Sequence, residues 1–182
     1  MNKSKIKEQL LDFTVKGVKQ FLKENPGLEF YAFAYDCNAE YAEVNLCFNT
    51  IEDFNRTLTH YRNGKFAENY KSDEAIKDLK YNTGDWEYKC FDSINVLSEE
   101  ELNEIYNNFS DDDYKSWNLF IEELVELFCE CLIEFRDSEV YRTIPKTENF
   151  TSFCIDHDED FEDAEQRMVR IEKILQAKRR DL

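Results

Sequence analysis

Glycine and proline are scarce, at 4 and 2 in 182 residues. That excludes collagen-like repeats, flexible linkers and the glycine-rich loops that cradle phosphate. No G-x-S-x-G, no G-x-G-x-x-G and no P-loop pattern occurs. Histidine is limited to His60 and His157, which leaves few neutral-pH bases for an enzyme. No stretch approaches the roughly 18–20 uninterrupted apolar residues that a membrane helix needs. The first residues, Met1 to Lys7, are basic, but no apolar signal core follows them, so a cytosolic location is expected. Cations are also short. Against 23 Lys and Arg stand 40 Asp and Glu, for a formal net charge of −17. Such a chain repels nucleic-acid phosphate and anionic membrane surfaces, and it favours a basic protein partner.

What is present is apolar mass. Hydrophobic residues make up 42% of the chain and aromatics 15%, enough to bury a core and too much for a disordered acidic tail. The length suits one domain spanning residues 1–182. Six cysteines, Cys37, Cys47, Cys90, Cys129, Cys131 and Cys154, lie mostly among apolar neighbours and read as free thiols. Cys37 and Cys47 can face each other across a hairpin, but the expected compartment disfavours a disulfide. Cys129 and Cys131 point about 200° apart on a helix and read as core.

The hydrophobic periods define an α+β chain. Ile6, Leu10, Phe13, Gly17 and Phe21 recur at helical spacing over Lys3–Glu24. Phe30–Tyr35 is apolar on both faces, as an inner strand is. Tyr41–Phe48 alternates, and the short connection Asp36–Glu40 predicts an antiparallel hairpin. Thr50 with Asp53, and Ser98 with Glu101, are helix-opening patterns. Residues 64–85 show no clear period. Asp85–Phe91 alternates like a third strand. The longest helix is expected from about Tyr114 to Asp137, a last strand over Phe150–Ile155, and a final helix over Asp160–Lys178. The expected architecture is a mostly antiparallel sheet covered by several helices.

Certain features fall in a fixed order: the N-terminal helix, Phe30-Tyr31-Ala32-Phe33-Ala34, Asn49-Thr50 opening a helix, Trp86-Glu87-Tyr88, and a late strand ending in Asp156-His157-Asp158. In this order the chain resembles an uncharacterised bacterial domain-of-unknown-function family of single-domain cytosolic proteins. That family is similar in size and charge to immunity proteins that neutralise toxins. The resemblance implies a binding role and transfers no catalytic residues.

Charge is concentrated in residues 98–139, where fourteen acids face Lys115 and Arg136, a net of −12. Within that segment Glu122, Glu126, Glu130 and Glu134 are spaced by four. On one helix these form three like-charge pairs, each costing roughly 0.2–0.5 kcal/mol. Two explanations compete: a solvated face tolerated because the opposite side is buried, or a docking surface for a basic partner. Either predicts that Lys at positions 126 and 130 would leave stability unchanged or raise it, whereas a core-facing or already paired stripe predicts the opposite sign. The turn Asp111, Asp112 and Asp113 joins the stripe as a candidate partner-binding element. Asp156-His157-Asp158-Glu159-Asp160 suggests a metal loop, but Phe161 stands where a turn glycine is needed and Arg167 occupies the twelfth position. It reads instead as an acidic loop capping the last helix. No metal, cofactor or catalytic residue is expected. The functional expectation is an acidic protein-binding module, an immunity-type inhibitor of a basic toxin domain. A carboxylate-based enzyme and a non-catalytic regulatory domain are the alternatives.

Overall fold

The strand Phe30–Asn38 (β1) is apolar on both faces over its first six residues, Phe30–Tyr35, and it occupies the interior of the sheet. A computed structural model describes residues 1–65, 67–109, 114–157 and 159–180. In it β1 pairs antiparallel with Glu43–Thr50 (β2), which pairs antiparallel with Tyr88–Asn95 (β3). On its other side β1 pairs with Lys146–Asp156 (β4), in parallel. The strand order is β3-β2-β1-β4, a mixed sheet that is mostly antiparallel. The α+β class and the β1–β2 hairpin are as the sequence predicts.

Helices cover both faces. On one face Lys3–Glu24 (α1) buries Ile6, Leu10, Thr14, Gly17, Val18 and Phe21, a single stripe at helical spacing. Tyr114–Arg136 (α5) lies beside it and buries ten of its residues, among them Phe120, Leu124, Phe128 and Phe135. Phe161–Arg180 (α7) flanks α5 on the far side through Met168 and Ile171. Glycine at position 17 leaves room for two neighbouring side chains. A Cβ there would come within 2.8 Å of Asp92 Oδ2 and 2.9 Å of Leu46 Cδ1, so its absence lets α1 lie close on β2 and β3. The other face is smaller. Ile51–Arg62 (α2) and Asp73–Tyr81 (α3) pack Phe54, Leu58 and Leu79 against Tyr31, Trp86, Phe153 and Phe161. The remaining helices are short: Glu99–Asn107 (α4), closed by the full Ser98/Glu101 capping box, and Glu139–Thr143 (α6).

The structure departs from the sequence reading in four places. Residues 64–85 contain α3, whose Ser72 side chain accepts from Ala75 N at 3.1 Å; one cap before a nine-residue helix is a weak periodic signal. The third strand begins at Tyr88, because Trp86 turns into the second core and donates Nε1 to Lys80 O at 3.0 Å. The last strand starts at Lys146, four residues before the expected Phe150, and it pairs with β1 in parallel. Cys37 and Cys47 lie on opposite faces of the sheet, in different apolar layers. Cys37 meets Cys154 instead, Sγ to Sγ 3.5 Å, and all six cysteines are free. No helix among the described residues is long and apolar enough to cross a membrane.

Candidate functional site

The parallel pair β1 and β4 brings two chain reversals to one end of the sheet, with Asp36 beside Ile155 and Cys37 beside Asp156. After β1 the chain enters a short 3₁₀ turn, Ala39–Tyr41, and after β4 it loops into α7. Asp156 joins the two, its Oδ1 accepting from Ala39 N at 3.0 Å. Glu159 Oε2 accepts from Asp156 N at 3.1 Å. Arg167, one turn and a half into α7, reaches back to fix this loop. Its Nη2 donates to Glu159 Oε2 at 2.6 Å and to Cys154 O at 3.0 Å, and its Nε donates to Cys129 Sγ at 3.4 Å. Burial works against the Arg167 charge, but the Glu159 bond and the neighbouring thiols outweigh it and hold its pKa above the ordinary value.

Two clefts open beside this loop. The first, about 490 Å³, lies between α3, the turn Thr83–Asp85 and the loop. It gathers the carboxylates of Asp36, Asp78, Asp85, Asp156, Glu159 and Asp160 around His157. The second, about 540 Å³, lies between α5 and α7 and adds Glu122, Glu126 and Asp163, with Arg167 and Arg170 on its wall. Asp156, Glu159 and Asp160 line both, so the clefts adjoin in one acidic surface. Part of that surface is held in place before any ligand arrives. Asp85 accepts from Tyr61 OH at 2.7 Å and from Asn82 Nδ2 at 2.9 Å, which pushes the Tyr61 pKa up to about 12. Among the described residues no group of three or more His, Cys, Asp or Glu is arranged to hold a metal ion. The chemistry on offer is that of hydrogen-bond acceptors and negative charge in a concave setting.

Asp36 bears a cost for its position. Burial raises its pKa above the ordinary carboxyl value; the Thr83 hydrogen bond and the His157 charge lower it, and Glu43 and Asp156 raise it further. A carboxyl with a raised folded pKa favours the folded state when protonated, and that contribution is lost as pH rises through the folded value. The substitution Asp36→Asn is therefore expected to raise the melting temperature at pH 7. The gain should disappear as pH falls below the ordinary carboxyl range. Melts of both proteins between pH 3 and 7 check this, and a variant less stable at pH 7 would contradict it.

The glutamate stripe has cations that no single-helix reading could show. Glu126 pairs with Arg170 of α7 at 2.7 Å, and Glu130 with Lys7 of α1 at 2.5 Å. Glu123 meets Lys3 at 3.2 Å. Burial lowers the Lys7 pKa, but the Glu130 bond outweighs it and the net shift is upward. Glu122 and Glu134 stay exposed, and Glu122 and Glu126 face the second cleft. The expectation that lysine at 126 and 130 leaves stability unchanged or raises it is corrected by this geometry. Glu126→Lys with Glu130→Lys sets each new cation against Arg170 or Lys7. The double variant should be less stable by about 1–2 kcal/mol in urea, from two lost pairs and two new repulsions. An unchanged midpoint would show that the inter-helix pairs contribute nothing. Asp111, Asp112 and Asp113 lie outside the described residues. So does Asp158.

Sequence reasoning located Asp156, Glu159 and Asp160 but not their company. Asp36, Asp78 and Asp85 reach the same cleft from β1, α3 and the turn before β3, and no local pattern joins them. The alternation ending β1 gives one weak sign, since Asp36 falls where an apolar side chain would continue the second core.

No curated protein and no solved structure matches the chain. A family described as a domain of unknown function matches residues 10–172, from the middle of α1 to the middle of α7, and so takes in all four strands and both clefts. The chain accordingly belongs to the family described as "Domain of unknown function (DUF4303)".

Proposed function

We propose that this protein is an acidic protein-binding module, an immunity-type inhibitor that docks a basic toxin domain in the cytosol of the bacterium that it protects. The observation that carries the reading is the sharing of Asp156, Glu159 and Asp160 by two adjoining carboxylate clefts. Arg167 and Arg170 offset two of these acids, and the net negative charge that remains in the concave surfaces focuses the field and raises association rates by about 10–10³-fold. The Lys and Arg side chains with which a toxin domain grips phosphate are the natural occupants. Asp85, Asp156 and Glu159 are already held by hydrogen bonds, so less ordering is required on binding. The stripe Glu122, Glu126, Glu130 and Glu134 continues this surface along α5 in the proposed contact set.

A second reading rests on one observation. Asp36 combines a raised proton affinity with a place in a cleft beside His157, as a general acid does. On that reading the protein is a carboxylate-based hydrolase.

Affinity capture from the native host tests the first reading. Wild type is compared with a neutralised variant, Asp78→Asn with Asp160→Asn and Glu122→Gln, whose acids are exposed on the cleft walls. The expected result is a basic protein retained by wild type at low salt and depleted from the variant. Equal recovery by both, or recovery of acidic proteins alone, would contradict the proposal.

A further inference from the structure

A third concavity, larger than the two acidic clefts at about 780 Å³, lies between the turn Ala39–Tyr41, the end of β3 and α4. Its character differs from theirs. Tyr41, Leu102, Tyr106 and Trp117 form its walls, and Glu40 and Glu99 stand at its rim. Tyr41 is 63% exposed and Tyr106 48%, so two aromatic side chains of one concavity lie open to solvent together. The Tyr106 and Trp117 rings meet edge to face, centroids 5.2 Å apart, so the aromatic wall is a packed surface. Among the described residues no cation pairs with Glu40 or Glu99, and none lines the groove.

The groove shares no lining residue with the acidic clefts but is tied to them through the turn after β1. Asp156, shared by both clefts, accepts from the backbone of Ala39, the residue next to Glu40 and Tyr41. We propose that this aromatic, acid-rimmed groove is the receptor for an arginine side chain of the protein partner. This rests on the reading of the acidic surface as a docking face, and it adds the anchor. Aromatic faces attract cations through their quadrupole, and they attract guanidinium best because it is planar and weakly hydrated. Carboxylates at the rim supply the counter-charge and a bidentate acceptor. An acidic or neutral segment would leave Glu40 and Glu99 without a counter-ion in a chain of net charge −17. Arginine, tyrosine and tryptophan are the residues that carry most interface energy, and they tend to meet one another.

The two tryptophans provide the test. Trp117 lines the groove, whereas Trp86 is buried in the second core with its indole N–H on Lys80 O. Nitrogen-15-labelled protein is titrated at low salt with acetyl-Gly-Arg-Gly-Arg-Gly-amide and with the same peptide carrying citrulline, the neutral isostere. The Trp117 indole signal should shift saturably with the arginine peptide while Trp86 stays still. The citrulline peptide should bind about tenfold more weakly or not at all. Glu99→Gln, at an exposed position, should weaken binding severalfold with an unchanged melt, and Tyr106→Ala should weaken it as much with only a small fall in melting temperature from the lost ring contact. Equal response to citrulline, or displacement of the peptide by equimolar spermidine, would overturn recognition of a guanidinium. Shifts at His157 without shifts at Trp117 would overturn the groove while supporting the acidic clefts. Movement of neither signal would overturn both.

Discussion

Replacing Arg167 with methionine is expected to lower stability by about 3 kcal/mol, the low end of the range for breaking a buried charge pair from one side, because Glu159 also borders the two clefts. The Arg167 and Glu159 side chains are 15% and 17% exposed, whereas each of the other ion pairs among the described residues has at least one partner 30% exposed or more. Arg167 also donates to Cys154 O and Cys129 Sγ, so its loss strands a carboxylate and a carbonyl together. In a chain of this size the corresponding fall in melting temperature is about 10 °C. The control is Arg167→Met combined with Glu159→Gln. With both charges gone, the second variant should recover a substantial part of the loss, because the penalty lies in the orphaned carboxylate. A single variant within 1 kcal/mol of wild type would mean that the loop after β4 is held by other contacts.

The second large effect concerns association. Once the captured partner is in hand, Asp78→Asn with Asp160→Asn and Glu122→Gln should slow its association about 10- to 100-fold at low ionic strength. The wild-type and variant rates should converge as salt shortens the Debye length. Dissociation should change little, since these exposed acids steer more than they grip. Net charge alone does not account for the expected difference. Glu29, Glu52 and Glu148 lie at the opposite end of the sheet, by the start of β1, the end of β2 and the start of β4. Neutralising those three removes the same charge and should alter the rate by less than about threefold. Equal slowing by both triples would assign the effect to the overall field and remove the clefts from the account.

Local signals carried much of the fold. Lys3–Glu24, with its apolar residues at helical spacing, forms a helix with those bounds. The Thr50 and Ser98 caps open α2 and α4 as read. These depend on side chains a few residues apart, and sequence displays them. Relations set by register and by tertiary neighbours were hidden. Cys37 pairs opposite Val44 and Cys47 opposite Ala34, so strand parity places the two thiols on different faces. The glutamate stripe looked self-repelling because Lys7 and Arg170 are more than a hundred and forty residues apart in sequence yet flank the same helix. The first cleft was illegible for the same reason. Asp36, Asp78 and Asp156 meet only because β4 returns to lie parallel beside β1, a pairing that depends on the whole chain between them.

One end of this sheet, where β1 and β4 finish, is the proposed docking face. Hydrogen exchange of the protein alone and with its captured partner tests it most directly. The expected result is protection over residues 36–41, 76–85, 98–106, 117–126, 154–157 and 159–163, with α2 and the start of β4 unchanged. Protection confined to α2, the β3 edge or the opposite end of the sheet would contradict it.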